Sequence, residues 1–287
     1  MALKPVAVAA APGDRPRRGQ DAGPPPTDPA TDLRTRVLDA LRDIAPEADL
    51  AAIAPAQPLR DQVDLDSMDW LSLLDALGER LGTALPPGKL GAAASLDDLV
   101  AALGQPRRVA RRRAPASALR ARVHRLDDGR RVRVRPIVAA DTALEADFVR
   151  NLSTASRYKR FMSSLRELTP AKLKYFTDVD QVRHIALAAS ESGQRRRDWI
   201  GVARCVADPG GDACEFAVTV ADPWQRSGLA GVLMRSLIAA ARARGLKTMR
   251  GVVLSGNRRM LRLARQLGFS VAHEADEPGT VTVTRPL

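Results

Sequence analysis

Hydrophobic positions divide the chain into a helical first part and a second part in which strands and helices alternate. From Asp32 to Pro46 the apolar residues recur at helical spacing; they are Leu33, Val37, Leu38, Leu41 and Ile44. The stretch DLDSMDWLSLLDALGERLG has a similar apolar face, and the short segment SLDDLVAAL is predicted to be a helix capped by Ser95. Residues 31–104 are therefore predicted to form an all-α helical bundle.

Beyond residue 120 the pattern changes to the alternation typical of strands. The segments RARVHRL and RRVRVRPIV, joined by DDG, predict a hairpin, and HIALAAS, DWIGVARCVAD and ACEFAVTVAD predict an antiparallel meander. Asp141 is predicted to cap a helix through Val149, and Thr169-Pro170 to start another through Tyr175. Residues 121–287 are therefore predicted to form a domain that contains both a sheet and helices.

A strand, a glycine-containing turn and a helix follow one another from Val218 to Gly245. Gly228 and Ala230 keep bulky side chains away from the turn, so that backbone N–H groups and the helix N-terminus can bind a phosphate. The turn consists of Gln225, Arg226, Ser227, Gly228, Leu229, Ala230 and Gly231. Such turns are common, and neither GxGxxG nor GxxxxGK[ST] is present, so this turn alone does not identify a function.

The next segment, TMRGVVLSGNRRMLRLARQLGFSV, predicts a strand from Met249 to Leu254, then Asn257, and a helix to Leu267. With these residues the chain resembles the GNAT acetyltransferase superfamily. The family pattern Q/R-x-x-G-x-G/A is matched by Gln225, Gly228 and Ala230, and the later asparagine and Gly-Phe are matched by Asn257, Gly268 and Phe269. RYKRFMSSLRELTPAKLKYF and HIALAASESG resemble segments of bacterial Pat-type protein-lysine acetyltransferases. The resemblance begins near residue 141 and implies an α/β (α+β) fold with a mixed, mostly antiparallel sheet.

The resemblance also implies a reaction in which an amine directly attacks the thioester of acetyl-CoA or another acyl-CoA. A lysine amine has an ordinary pKa of about 10.4, so a base or a desolvating pocket must help remove its proton. Glu215 matches the position of the catalytic glutamate in Pat-like members, and His184 is the second candidate. An outward-facing polar residue on a half-exposed strand is the alternative interpretation of Glu215.

For the cofactor, the resemblance implies that the backbone of Val218 and Val220 pairs with the pantetheine arm. The turn from Gln225 to Gly231 is then expected to hold the pyrophosphate, and Asn257 to bind near the thioester. Many relatives carry a tyrosine seven residues after this asparagine to protonate the leaving thiolate, whereas this chain has Ala264. Candidate acceptor contacts are Arg157, Tyr158, Arg160 and Phe161, for which packing or solvation is the alternative.

The helical bundle is acidic, with 13 Asp and Glu against 6 Lys and Arg in residues 31–104. Asp66, Ser67 and Met68 resemble the attachment motif of acyl carrier proteins, which implies 4'-phosphopantetheine on Ser67, added by a phosphopantetheinyl transferase. An exposed serine at a helix N-terminus suits a phosphodiester, although a helix cap is the alternative role for Ser67. Asp66, Asp69, Asp75 and Glu79 are expected to form an acidic face that basic partners recognise.

Charge separates the two parts of this 287-residue chain, since residues 31–104 carry a net charge of −7 and residues 105–287 carry +18. Residues 1–30 are predicted to be a disordered leader because they are rich in proline and have no apolar period. Residues 105–120 are predicted to be a basic linker attracted to its own acidic carrier domain. Nucleic-acid binding by these arginines is disfavoured because interleaved aromatics and a known reading motif are missing.

The two cysteines, Cys205 and Cys214, flank the predicted DPGG turn, and a symmetric hairpin would place them opposite each other. A cross-strand disulfide is one interpretation; two buried thiols in a reducing cytoplasm is the favoured one. The sequence predicts no metal site, since it has no CxxC or His/Cys cluster, and no membrane span. The predicted location is the cytoplasm.

Two functions remain open at this point. The first is an N-acyltransferase that transfers an acetyl or acyl group from acetyl-CoA, or from its own carrier, to an amine of a small molecule or a protein lysine. The second is a non-catalytic module that senses acyl-CoA or docks a partner, with the phosphopantetheinylated carrier as the functional unit. The absence of the tyrosine favours the second, and the cradle with Asn257 favours the first.

Overall fold

The computed structural model describes residues 29–45, 48–63, 65, 67–81, 94–104, 119–162, 167–193, 198–208, 212–273 and 279–287. Most of the predicted leader and linker, Pro46, Asp66, and the tip of the DPGG turn lie outside these residues, as do the side chains of Ser67, Met68, Asp75 and Glu79. Among the described helices, none has both the length and the apolar character needed to cross a membrane.

The first half is a bundle of helices, as predicted. Its helices are α1 (Pro29–Ile44), α2 (Leu59–Gln62), α3 (Ser67–Leu81) and α4 (Leu96–Leu103). The bundle core is apolar and includes Val37, Leu41, Leu59, Leu73, Leu77 and Leu99. The predicted cap of α4 is confirmed, because Ser95 Oγ accepts from Asp98 N while the Asp98 carboxylate accepts from Ser95 N.

The second half is built on one eight-stranded sheet. Its strands are β1 (Arg122–Arg125), β2 (Arg131–Pro136), β3 (His184–Glu191), β4 (Trp199–Ala207), β5 (Ala213–Val220), β6 (Thr248–Leu254), β7 (Ser270–Ala272) and β8 (Thr280–Pro286). The order across the sheet is β1-β2-β3-β4-β5-β6-β8-β7, and only β5 and β6 are parallel neighbours. The mixed, mostly antiparallel sheet is confirmed; β7 and β8 were not predicted.

Helices cover both faces of this sheet. They are α5 (Thr142–Arg150), α6 (Thr154–Phe161), α7 (Pro170–Thr177), α8 (Leu229–Ala243) and α9 (Arg258–Gln266). The α7 face of the sheet packs against α5, α6 and α7, with Phe148 and Phe176 over Val202. The α8 face packs against α8 and α9, with Leu233 and Leu237 in its core. Alternate residues of each strand point to opposite faces, so the two cores are separate.

Two sequence predictions at helix starts have different outcomes. The helix start at Thr169-Pro170 is confirmed: α7 begins at Pro170, and the Thr169 hydroxyl accepts from Lys172 N at 3.3 Å. Asp141 is the N-cap residue of α5, as predicted, but its side chain makes no capping bond, because its carboxylate accepts from Val138 N and Arg135 instead. The competing guanidinium explains the difference, since charge-assisted hydrogen bonds are stronger than bonds to neutral amides. Helix α6 was not predicted.

The favoured interpretation of the two cysteines as buried thiols is confirmed, and they are not opposite each other in the hairpin. Cys205 pairs with Phe216 across the β4–β5 hairpin, and Cys214 pairs with Ala207, so the cysteines are diagonal rather than opposite. Both are free and buried. A hydrogen bond with Cys214, together with burial, raises the pKa of the Cys205 thiol well above its ordinary value. The two thiols act as small core residues of the α8 face.

Candidate functional site

A wedge-shaped gap opens in the sheet where β5 and β6 separate. The two strands pair only where residues 213–215 face residues 248–250. Beyond Glu215, β5 stays paired with β4 and β6 stays paired with β8, so the strands diverge. Gly251 sits at the start of the gap, where a Cβ atom would lie 2.7 Å from the ring of Phe216. A larger residue there would displace this ring from the gap.

The gap is the inner part of a cavity of about 370 Å³. Nine of the residues predicted to bind the cofactor line it: Val218, Val220, Gln225, Arg226, Gly228, Leu229, Ala230, Gly231 and Asn257. Ser227, the tenth residue predicted to bind the cofactor, does not line the cavity. It is buried, donates its hydroxyl to Trp224 O at 2.6 Å, and accepts from Leu229 N at 3.4 Å, so it supports the turn from behind.

The predicted phosphate cradle has the backbone geometry that an anion site needs. Gly228 precedes α8 with φ of +83° and has no side chain to occupy the N-terminus of the helix. The first α-helical bond runs from Val232 N to Gly228 O, so the N–H groups of Ala230 and Gly231 lie in the first turn. A Cβ atom at Gly228 would approach Asp127 Oδ2 to 2.7 Å, so the site admits only glycine without rearrangement.

A polar network joins the cradle to α6. The Gln225 amide donates to Ser156 Oγ at 3.0 Å and to Val220 O at 3.3 Å. Ser156 and Ser153 donate in turn to the Asp222 carboxylate at 2.7 and 2.8 Å. Burial favours the protonated form of Asp222, but the hydrogen bonds from Ser153 and Ser156 together lower its pKa. This network, which the sequence analysis missed, fixes α6 beside the cavity.

The cavity lining is strongly positive. Its described residues include five cations and no carboxylate; the cations are Lys159, Arg160, Arg226, Arg259 and Arg262. The sequence analysis had singled out only Arg160 and Arg226 among these, because the others lie on helix faces that the sequence leaves unassigned. Such a lining suits a ligand with several phosphates. The carboxylate of Asp127, close to Gly228, is a nearby opposing charge.

Glu215, the predicted base, lies just beyond the inner end of the cavity. It is 7% exposed and is not among the lining residues, whereas the next two residues, Phe216 and Ala217, are. Its register neighbour on β4 is Val206, two residues from Arg204, and Arg204 contacts α5 and α7. Because strand residues alternate, Glu215 therefore faces the α7 side, with Arg250 Nε 3.9 Å from its carboxylate.

A second group of charged residues is buried under α5 and α7. Arg204 donates to both carboxylate oxygens of Glu145 at 2.9 Å and to Phe176 O at 3.1 Å. Burial raises the pKa of Glu145 and lowers that of Arg204, and each partner opposes the shift of the other. Burial, then Arg204 and Arg160, lower the pKa of His184 well below its ordinary value. His184 does not line the cavity.

The remaining predicted residues fall in different places. Arg160 lines the cavity, whereas Tyr158 is 50% exposed and Phe161 packs against Phe176 in the core. Arg157 donates to Arg150 O at 3.1 Å. Ala264 is fully buried in the core of the α8 face, so its position does not border the cavity. Ser67 is the first residue of α3.

Comparisons with known proteins agree with both halves of this description. Residues 147–269 match the profile of the acetyltransferase (GNAT) family, and residues 35–103 match that of the phosphopantetheine attachment site. An acetyltransferase of Pseudomonas aeruginosa is 39% identical over 157 residues, which are 54% of this chain and 83% of the relative.

Solved structures resemble the second half of the chain. The crystal structure of the GNAT domain of Streptomyces lividans PAT is 29% identical, with a TM-score of 0.54, and the match covers 58% of this chain and 97% of that domain. The structure of yncA from Salmonella typhimurium, described with its cofactor acetyl-CoA, is 21% identical with a TM-score of 0.46, over 54% of this chain and 94% of that one.

Proposed function

Since this chain belongs to the GNAT acetyltransferase family, we propose that it transfers an acetyl group, or another acyl group, from coenzyme A to a primary amine. The observation that carries this proposal is the cavity itself. The cradle, Asn257 and the diverging edge of β5 border one volume whose described lining has five cations and no acid. A polyanionic cofactor with a narrow arm matches this shape and charge.

The chain's own residues would hold the cofactor in three ways. The N–H groups around Gly228 and the N-terminus of α8 bind the pyrophosphate. Backbone groups at Val218 and Val220, on the edge of β5 that has left β6, pair with the pantetheine amides. The Asn257 side chain begins α9 by accepting from Met260 N at 3.3 Å, which leaves its amide nitrogen as a donor toward the cavity. Bound acetyl-CoA supplies an activated thioester.

We assign Glu215 as the base that receives the proton of the attacking amine. Its carboxylate is on the α7 side of the sheet, two residues along β5 from Ala217 in the cavity wall. The Arg250 Nε atom lies 3.9 Å from this carboxylate on the same side of the sheet. The distance from the lining means that the amine must reach inward to this residue or transfer its proton through a water molecule.

The leaving thiolate is expected to depart without a tyrosine donor, because the position that carries this tyrosine in many relatives is Ala264 in this chain. Ala264 is also buried away from the cavity. A thiol has an ordinary pKa of about 8.5, so its thiolate is a tolerable leaving group near neutral pH. Lys159 and Arg160 line the α6 side of the cavity and stabilise this negative charge as it develops.

Glu215→Gln tests this assignment. Turnover with a primary amine should fall by a factor of about 100 or more, the usual contribution of a general base, while coenzyme A affinity measured by calorimetry stays the same. The matched control is Glu167→Gln, which makes the same change on an exposed carboxylate. Turnover that survives in Glu215→Gln would remove Glu215 from the mechanism but leave the cavity as the cofactor site.

For the first half, we propose 4'-phosphopantetheine attached to Ser67, added by a phosphopantetheinyl transferase. The match to the attachment-site family and the position of Ser67 at the start of α3 support it. Intact-mass spectrometry after incubation with coenzyme A and a broad-specificity transferase should reveal one added arm in the wild type and none in Ser67→Ala. Without an adduct in the wild type, the first half is a docking bundle.

The second candidate function is a non-catalytic acyl-CoA sensor or docking module. It is favoured by the location of Glu215 outside the cavity lining and by the burial of Ala264. A sensor should bind acetyl-CoA and show no acetyl transfer to any amine in a panel that includes protein lysines and small amines. Turnover above the uncatalysed rate with any one amine would exclude this candidate.

A further inference from the structure

The carrier-like first half rests on the α7 face of the second half. The Asp69 carboxylate of α3 lies 3.1 Å from the Lys172 ammonium of α7, and the two side chains are only 3% and 7% exposed. Helix α1 also contacts α7, and α3 contacts β4. Two parts of the chain that are separated by the linker therefore share a contact that excludes water.

A buried ion pair of this kind marks a specific orientation. Removing two charges from water is costly, and the cost is recovered only when the partners meet in good geometry. A displaced or loosely tethered bundle would leave Asp69 and Lys172 exposed on separate surfaces. The opposite net charges of residues 31–104 and 105–287, −7 and +18, favour the same association over a longer range.

This contact places the attachment position close to the α7 face. Ser67 and Asp69 are two residues apart in α3, which is about 3 Å of helix rise and about 200° of turn, so the Ser67 backbone lies within one helix width of the contact. Lys172 lies near the start of helix α7. One turn later, the carbonyl oxygen of Phe176 accepts a hydrogen bond from Arg204, which lies on the α7 face of the sheet. Glu215 points to this same face from β5.

The cradle and its helix are on the other face. Helix α8 packs against the α8 face, and the cavity reaches the sheet from the N-terminus of that helix. An arm that delivered an acyl donor would have to enter from the cradle, where coenzyme A is expected. An arm that starts near α7 approaches the thioester from the opposite side, which is the side from which an attacking group must come.

We propose that the carrier-like domain docks on its own acetyltransferase domain to present the acceptor: a primary amine borne on the phosphopantetheine arm of Ser67. This inference rests on the proposed acetyltransferase function and specifies its acceptor. The tethered amine nitrogen attacks the thioester carbonyl of acetyl-CoA. A C–N bond forms, the C–S bond breaks, the amine proton passes to Glu215, and coenzyme A leaves as the thiolate. The product is an amide that stays attached to Ser67.

The experiment loads the full chain with a defined amine. A broad-specificity phosphopantetheinyl transferase and amino-coenzyme A, in which an amine replaces the terminal thiol, give an arm on Ser67 that ends in an amine. After acetyl-CoA is added, intact-mass spectrometry should show one acetyl group on the loaded chain and none on Ser67→Ala. The rate constant should not change when the protein is diluted, because the reaction is intramolecular.

Variants of the Asp69–Lys172 ion pair test whether docking is needed for acetylation of the arm. Lys172→Met should slow acetylation of the arm by about tenfold or more, since it removes the cation that lies 3.1 Å from the buried Asp69 carboxylate. The charge-reversed pair, Asp69→Lys with Lys172→Asp, should restore much of the rate. Lys247→Met is the matched control, because its ion pair with Asp212 is exposed, and it should leave the rate unchanged. Hydrogen exchange should show reduced protection of α7 in Lys172→Met only.

Several outcomes would overturn the proposal. One is a rate constant for acetylation of the arm that is the same in Lys172→Met as in the wild type. The others are a rate constant that falls on dilution, and acetylation of a thiol-ended arm but not of the amine-ended one. Free amino-pantetheine separates this inference from the function on which it rests. Acetylation of the free amine but not of the loaded arm would reject the docked acceptor alone, whereas acetylation of neither would count against the acetyltransferase itself.

Discussion

The two faces of the sheet are built by different means. On the α8 face, small residues let backbones and helices approach closely: a Cβ atom at Gly201 would lie 2.9 Å from Leu233, and the cradle depends on Gly228. On the α7 face, the helices pack on buried ionisable side chains, namely the ion pair of Glu145 with Arg204 and the neighbouring His184. The expected cofactor side therefore depends on the absence of side chains, whereas the proposed acceptor side depends on correct pairing of ionisable groups.

The largest expected effect is on the α7 face. Arg204→Met should lower the free energy of unfolding by about 3–5 kcal/mol, because it leaves the Glu145 carboxylate buried without its partner. The measurement is urea denaturation followed by a probe in the second half. Arg242→Met, an exposed arginine on α8, is the control and should change little. Adding Glu145→Leu to Arg204→Met should recover much of the loss.

The next effect is on the α8 face. Gly228→Ala should weaken coenzyme A binding about tenfold, because the new Cβ meets Asp127 and strains a φ of +83° in the cradle. Gly193→Ala is the control: it has φ of +94°, and among the described residues no atom lies within 4 Å of its Cβ position, so it shows the effect of backbone strain without crowding. Equal coenzyme A affinity in the two variants would show that the cradle is not the binding site.

A smaller effect is expected from pH on the α7 face. The folded-state pKa of His184 is well below its ordinary value of 6.5, so below pH 6.5 the unfolded chain binds more protons than the folded one. Stability should therefore fall as the pH drops through 6.5, by up to about 1.4 kcal/mol per pH unit. His184→Gln should reduce this slope in urea denaturation at pH 7.5 and 5.5, whereas His273→Gln, an exposed control, should not.

The smallest expected effect is an electrostatic change in coenzyme A affinity at the cradle. Asp127→Asn should tighten coenzyme A binding about two- to threefold, because it removes a negative charge near Gly228 where phosphates are expected. The gain should shrink as salt is added, since exposed charges are screened. Asp128→Asn alters the neighbouring carboxylate of the same turn, which pairs with Arg130, and should give no tightening.

Local patterns were sufficient to predict several elements. Ser95 and Thr169 cap their helices through bonds to residues three positions ahead, so a short window of sequence contains the whole motif. Gly228 could be singled out because a turn between a strand and a helix needs a residue that tolerates positive φ. The strand β8 alternates Thr and Val and was visible in principle, yet it was not predicted.

Contacts between distant residues could not be predicted. Ser153 and Asp222 are 69 positions apart, and nothing near either residue indicates that they meet. The charged residues that line the cavity include Lys159 and Arg259. In the sequence, neither differs from the many other basic residues that are expected to be solvated. The relative positions of the two cysteines likewise depend on the register of the β4–β5 hairpin. A shift of one position on each strand makes Cys205 and Cys214 diagonal rather than opposite.

The outermost strand β1 has a consequence for how copies of this protein behave at high concentration. It contains only four residues, Arg122–Arg125, and none of them is buried. An uncovered strand edge offers unpaired backbone groups to any other chain, which is how sheets join into aggregates. Two arginines on so short an edge repel the same edge of a second copy. We therefore expect Arg122 and Arg125 to disfavour growth of the sheet beyond its own eight strands.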